Sequence, residues 1–162
     1  MGQVHVRDAT EADLVAVAAI YGYETLHSYS TFETEERPPD VWAHKLRARY
    51  PFLVAEDDRR VLGFAYASEF RERPAYHLTV ETSVYLDREA RGRRIGSVLY
   101  ADLLARLVAD GFHTALALVA LPNDASVGLH LRAGFEHVGT MREVGFKFGQ
   151  WVDVEWYQRM LD

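Results

Sequence analysis

Arg88, Arg91, Arg93 and Arg94 stand within one short stretch, Val84–Gly96, which reads VYLDREARGRRIG and opposes them only with Asp87 and Glu89. Guanidinium groups at that density hold phosphate or another anion through paired N–H donors. Position adds to composition. An apolar strand ending at Leu86 feeds this loop into a helix that opens near Gly96. A helix start presents unpaired N–H groups and the positive end of the helix dipole. A solvated basic turn has the same composition; the strand–loop–helix setting favours the anion cradle. No G-x-G-x-x-G is present, which sets a dinucleotide oxidoreductase aside. The chain has no cysteine, so disulfides, thiolate zinc sites, iron–sulfur ligation and a cysteine nucleophile are all excluded. His5, His27, His44, His77, His113, His130 and His137 form no close pair at ligand spacing with carboxylates, and no metal is expected.

The elements around this loop follow from periodicity. Leu14, Val17, Ala18 and Tyr21 have helical spacing, with Thr10 where a cap starts the first helix. A second, short helix is predicted from Asp40 to about Tyr50, with Trp42 and Leu46 inward. A third runs from about Gly96 with Leu99, Leu103 and Leu107 on one face, stopped by Gly111 in a left-handed conformation. A fourth spans about Asp124 to Gly134. Strands are predicted at His5–Arg7, Phe52–Glu56, Val61–Phe70 and His77–Leu86. Thr114–Leu121 is a continuous apolar run, which reads as a strand covered on both faces. Val152, Val154 and Trp156 alternate with Asp153, Glu155 and Tyr157, a half-buried strand, and Gly145–Gln150 is read as the turn of a hairpin before it. The order β-α-α-β-β-β-α-β-α-β-β gives an α/β (α+β) fold, a mixed sheet with helices packed on it.

At 162 residues, 49% hydrophobic and 26% charged, the composition is that of a globular chain, and a single domain over 1–162 is the natural expectation. The first residues carry no apolar leader and no run reaches membrane-spanning length, so no membrane partner and a cytoplasmic location are expected. A formal net charge of −6 argues against a nucleic-acid partner.

Arg91-Gly92-Arg93-Arg94-Ile95-Gly96 resembles motif A of the GNAT superfamily of acetyl-CoA-dependent N-acetyltransferases, Q/R-x-x-G-x-G/A, with Arg94 in place of the motif's first glycine. Further segments narrow the resemblance to the phosphinothricin/methionine sulfoximine (methionine sulfone) N-acetyltransferase branch. They are STFETEERP at Ser30–Pro38, FRERPAYHLTVETSVYL at Phe70–Leu86, NDASVGLHLRAGF at Asn123–Phe135, VG at Val138–Gly139 and GFKFGQWVD at Gly145–Asp153. The resemblance implies a GNAT fold: a splayed, mostly antiparallel mixed sheet flanked by about four helices, with a β-bulge under the cofactor. It implies acetyl-CoA as co-substrate, an amino-acid α-amine as acceptor, direct transfer in a ternary complex, and a homodimer.

It also assigns roles. Val84, Tyr85 and Leu86 offer backbone groups to the pantetheine arm. Arg91, Gly92, Arg93, Arg94, Ile95, Gly96 and Ser97 form the phosphate loop, where the Arg94 side chain stands in the way of the pyrophosphate. Asn123 and Ser126 cap the fourth helix and add hydrogen bonds to the cofactor. Glu81 corresponds to the branch's base; a cross-strand salt bridge is the alternative. An ammonium must lose a proton before it attacks a thioester, and a carboxylate beside the acyl group accepts it. Arg71 and Arg73, with Tyr76, suit the acceptor's carboxylate, or form an exposed charged turn. Phe32 and Glu33 lie in a loop that closes over the substrate, with core packing the alternative for Phe32. His130 stands where many members of the superfamily have a tyrosine that protonates the departing thiolate; a surface histidine is the alternative. Lys147, Trp151 and Asp153 lie near the pocket and the subunit contact, Trp151 rather as a packing residue. Rival readings are acetyl transfer to another amine, which Arg71 and Arg73 oppose for a polycation, and a non-catalytic acyl-CoA-binding module.

Overall fold

The computed structural model describes residues 2–162. Its strands are β1 (His5–Asp8), β2 (Phe52–Asp57), β3 (Arg60–Glu69), β4 (Thr79–Leu86), β5 (Thr114–Ala120), β6 (Glu136–Lys147) and β7 (Gln150–Met160), and its helices α1 (Leu14–His27), α2 (Ala43–Arg47), α3 (Ile95–Ala109) and α4 (Asp124–Arg132). They form one sheet in the order β1-β2-β3-β4-β5-β7-β6, antiparallel throughout except for the β4–β5 pair.

Two apolar clusters lie on the two faces of the sheet. On one face Leu14, Val17 and Ile20 of α1 and the buried Trp42 pack on Phe52, Val54 and Phe64, joined by Tyr66 and Tyr85. On the other, Leu99, Tyr100, Leu103 and Leu107 of α3 pack on Leu53, Ala65, Val80, Ala115 and Ala117. The α1–α2 cluster reaches no residue of β5. That corrects the reading of Thr114–Leu121 as covered on both faces: Ala115, Ala117 and Val119 are buried, while Leu116 and Leu118 are only half-buried.

Local chemistry moves several other boundaries. Before α1, Thr10 opens a short 3-10 turn, its backbone N–H donating to Asp13 at 2.8 Å. The second helix is a 3-10 turn over Pro39–Trp42 followed by the short α2, ending at Arg47 rather than near Tyr50. Pro74 sets another 3-10 turn through Tyr76, so β4 starts at Thr79 and His77 stays outside it. The last hairpin is tighter than expected. Gly145, Phe146 and Lys147 pair with Val152, Trp151 and Gln150, leaving Phe148 and Gly149 as the turn. Both have positive φ (52° and 72°), the conformation whose twist suits a two-residue hairpin. The bulge nearest the phosphate loop falls on β3, between Val61 and Gly63, while β4 keeps unbroken register with β3. Gly111 and Gly134 stop α3 and α4 in the left-handed region (φ 81° and 84°).

Candidate active site

β4 and β5 are paired only at Thr79–Thr114, Val80–Ala115 and Glu81–Leu116. Beyond Glu81 they diverge. Thr82 covers the first exposed carbonyl, its hydroxyl lying 3.3 Å from Leu116 O and 2.5 Å from the buried Tyr100 hydroxyl. From Ser83 to Leu86 no strand lies on the β5 side of β4 among the described residues. A free strand edge accepts an extended ligand as it would another strand.

Glu81 is the last paired residue before this cleft. Opposite Ser68, it shares a face with Ser83 and Tyr85 of β4 and Tyr66 and Phe64 of β3. Burial pushes its carboxyl above the ordinary glutamate range, and the cations of Arg71 and Lys45 pull it part of the way back. Raised basicity without a fixed partner is what proton acceptance near neutrality needs. The cross-strand salt bridge is absent: no cation lies within 4.0 Å of Glu81 among the described residues.

The arginine loop leaves β4 through Asp87, whose N–H donates to Leu62 O at 2.8 Å and whose carboxylate accepts from Glu89 N at 2.8 Å. Gly92 has φ 78° with open space around it. Arg94, the residue that caps α3, has φ 61° and ψ 15°. The motif's glycine is thus replaced by an arginine that keeps a left-handed backbone, at a cost of about 1–2 kcal/mol. Gly96 is buried, but a Cβ there would sit 3.4 Å from Leu129, in ordinary contact, so alanine fits. The arginines differ in their engagements. Arg91 is paired with the buried Glu24, Arg93 reaches Asp57 at 3.0 Å, and Arg88 lies over the Tyr23 ring at 4.9 Å. Arg94 has no ion pair among the described residues. Ile95 and Ser97 open α3, and Val84 and Leu86 pack beneath it, while Tyr85 turns into the α1–α2 cluster.

On the acceptor side, Arg71 and Arg73 are exposed and without a carboxylate partner among the described residues. The Arg71 guanidinium lies 4.5 Å from the Phe70 ring centre and donates to Phe70 O at 3.0 Å. Tyr76 meets the same ring edge-on at 5.3 Å, and Phe70 in turn meets Trp156 at 6.1 Å. Phe32 points its ring tip at Gly145 of β6 rather than into the core, leaving no room for a Cβ there, and the side chain is 44% exposed. Glu33 pairs with Arg37 at 2.9 Å.

Two residues sit differently from expectation. Lys147 does not offer a free cation to a substrate. It is buried, with its ammonium donating to Ser28 O and Thr31 O at 2.7 Å each and reaching Glu24 O at 3.5 Å. It closes the C-terminus of α1 and fixes the loop that carries Phe32. His130 is not on the surface. It is 6% exposed, boxed by Tyr100, Phe135 and Tyr157, and its Nδ1–H donates to Ser126 O at 2.7 Å. Burial lowers its pKa, which favours the neutral ring. Asn123 caps α4, accepting from Ser126 N at 3.1 Å, and its amide reaches Ser30 Oγ at 3.5 Å. Trp151 is 63% exposed and, among the described residues, meets only the Phe146 aromatic ring, so it does not pack in the core. Asp153 accepts from Glu143 N at 2.7 Å.

Sequence reasoning missed Glu24 and Lys45. Glu24 follows Tyr21 by three residues on the inward face of α1, where a carboxylate is itself a signal; it accepts from Ser28 Oγ and pairs with Arg91, joining the arginine loop to the loop above the acceptor side. Lys45 follows Trp42 by three in the same way. Its ammonium lies 3.8 Å from the centre of the Tyr66 ring.

Comparison with known proteins agrees with this architecture. The family model described as the acetyltransferase (GNAT) family matches residues 18–135. A phosphinothricin N-acetyltransferase of Streptomyces coelicolor is 45% identical, over 98% of this chain and 97% of its own length. An L-methionine sulfoximine/L-methionine sulfone acetyltransferase of Pseudomonas aeruginosa is 38% identical, over 97% and 94%. The crystal structure of a GNAT superfamily phosphinothricin acetyltransferase from Sinorhizobium meliloti in complex with AcCoA superimposes with a TM-score of 0.94 at 39% identity, covering 98% of this chain and 88% of that one. With the cleft beside β4, the left-handed arginine loop and these relatives in agreement, the chain belongs to the GNAT family of N-acetyltransferases.

Proposed function

We propose that this enzyme moves the acetyl group of acetyl-CoA to the α-amine of a small amino acid or analogue such as phosphinothricin, methionine sulfoximine or methionine sulfone, by direct transfer in a ternary complex. The observation that carries the reading is Glu81: a half-buried carboxyl with raised pKa, at the mouth of the β4–β5 cleft, faced by Arg71. The free edge of β4 suits the amides of an extended pantetheine arm, and Gly92, Arg94 and the α3 N-terminus suit a pyrophosphate. No group of metal-binding side chains occurs among the described residues, and none of the steps calls for one.

The step balances as follows. The acceptor arrives as an ammonium, and Glu81 takes its proton directly or through a water. The neutral nitrogen attacks the thioester carbonyl, a C–N bond forms, and the C–S bond breaks. The electron pair leaves on the coenzyme's sulfur, which takes its proton from solvent or from the newly formed amide nitrogen. Arg71 and Arg73 suit the acceptor's carboxylate, because a bidentate guanidinium fixes it and so aims the amine. The same pair opposes a polycationic acceptor. Phe32, lying over β6, suits exclusion of water.

The homodimer belongs to this proposal. Val144, Phe146, Phe148 and Trp151 of the β6–β7 hairpin are all more than half exposed, an apolar surface suited to a second copy. The experiment is thiol release from acetyl-CoA with phosphinothricin, methionine sulfoximine, methionine sulfone, ordinary amino acids and a polyamine as acceptors. Rapid release with the first three supports the reading. Release with the polyamine alone, or bound acetyl-CoA with no turnover of any acceptor, overturns it.

A further inference from the structure

Lys45 has no role in the reaction described above, yet it stands beside the reacting group. It reaches in from α2, while Arg71 reaches in from the β3–β4 connection, and both cations act on Glu81. Its ammonium lies over the Tyr66 ring at 3.8 Å and 5.9 Å from the Trp42 ring centre. Tyr66 is paired with Ser83, two residues from Glu81 on the same face of β4. Among the described residues the ammonium makes no ion pair and no hydrogen bond; it lies against two aromatic rings. The same cluster holds a second unmet donor: Trp42 is 5% exposed, and its Nε1–H has no acceptor among the described residues. A desolvated ammonium without an acceptor is unfavourable, and a π-face replaces only part of what an anion supplies. Burial accordingly lowers the Lys45 pKa to about 8.

Arg71 and Arg73 already answer the one carboxylate of a zwitterionic amino acid. A third cation acting on Glu81 has no partner in such an acceptor. We infer that Lys45 is a specificity-determining residue that receives a second anionic group, a phosphinate or carboxylate, at the end of the acceptor's side chain. The inference rests on the acetyl-transfer reading above and goes beyond it by ranking the acceptors. The α-amine lies at Glu81, the α-carboxylate toward Arg71 and Arg73, and the side chain points toward α2. When the acceptor leaves, the ammonium returns to the Tyr66 ring.

Phosphinothricin and methionine sulfone make the test clean, because the phosphinate and the sulfone have nearly the same shape and differ by one charge. L-Glutamate supplies the carboxylate arm. Steady-state kinetics with each acceptor at saturating acetyl-CoA are compared for the wild-type enzyme, Lys45→Met, Lys45→Gln and Lys45→Arg. The expected result is a fall of about tenfold or more in the kcat/KM ratio of phosphinothricin to methionine sulfone in Lys45→Met and Lys45→Gln, seen chiefly as a raised KM for the anionic acceptor. Lys45→Arg keeps most of the ratio. A matching fall for glutamate assigns the site to anions in general; a fall for phosphinothricin alone assigns it to phosphinate. An unchanged ratio, or an equal loss for charged and uncharged acceptors, overturns the inference and leaves acetyl transfer standing. Turnover of none of these acceptors by the wild-type enzyme overturns the acetyl-transfer reading and the inference with it.

Discussion

Lys147→Met removes an ammonium while keeping a side chain of similar length and volume, so it isolates the bonds at the end of α1. Two of those bonds are 2.7 Å long; the third, 3.5 Å to Glu24 O, is at the limit of hydrogen bonding and counts for little. A hydrogen bond from a charged donor contributes about 1.5–3 kcal/mol, so the pair contributes about 3–6 kcal/mol before the cost of burying the charge. That cost is real here, because burial depresses the lysine's pKa. A net loss of about 3 kcal/mol follows, since the orphaned carbonyls of Ser28 and Thr31 are still screened from water. In a chain of this size that corresponds to a fall in Tm of roughly 6–12 °C, read by calorimetry or circular dichroism. The loop from Ser28 to Glu33 loses its anchor as well, so the KM for the amine acceptor rises more than the KM for acetyl-CoA. A Tm within about 2 °C of wild type would falsify the account of Lys147 as the anchor of that loop.

Glu81→Gln lowers kcat by about a hundredfold or more, with little change in acetyl-CoA affinity measured by calorimetry. Burial raises the carboxyl's pKa, so activity that depends on the ionised form is lost as pH falls through a value above the ordinary glutamate range; an acid limb of kcat at the unperturbed position refutes the assignment. Arg94→Gly relieves about 1–2 kcal/mol of left-handed strain and gives back about 0.5–1 kcal/mol in unfolded-chain entropy. The expected result is a Tm higher by roughly 1–4 °C, and a lower Tm contradicts it. Trp151→Glu places a charge in the exposed apolar hairpin; sedimentation velocity is expected to show a dimer converted to monomers, and an unchanged sedimentation coefficient removes that hairpin from the interface.

The parts of the fold that sequence conveyed well were those where one physical signal acted alone. Leu99, Leu103 and Leu107 repeat at helical spacing and are all fully buried in α3. Gly111 and Gly134 mark helix ends because only glycine takes positive φ cheaply. The apolar run of β5 was ambiguous, since periodicity reports side-chain polarity and not how far the facing helices extend. The candidate site divides in the same way. The arginine loop was legible from charge and setting, and Glu81 was singled out through the resemblance of its segment, whereas the surroundings of Lys147 were not legible. Its partners are backbone carbonyls of Ser28 and Thr31, more than a hundred residues earlier in the chain. Carbonyls have no residue-type signature, so only folding reveals them. The surroundings of His130 were hidden for a related reason: its aromatic box is assembled from Tyr100 of α3, Tyr157 of β7 and Phe135 just before β6, and its Nδ1 meets a carbonyl one turn back in its own helix.

The parting of β4 and β5 has a consequence for the protein's lifetime as well as for its chemistry. A sheet that opens in its middle is unfinished, and in the proposed reaction an extended donor along Ser83–Leu86 would occupy the place of the missing strand segment. Whatever binds the folded chain and not the unfolded one stabilises it by mass action, about 2.7 kcal/mol at a hundred times its dissociation constant. A cell rich in acetyl-CoA would then hold the sheet closed and withhold its transient openings from proteases. In a starved cell the same polypeptide would open more often and be cleared sooner, so that abundance follows donor supply without any dedicated regulator.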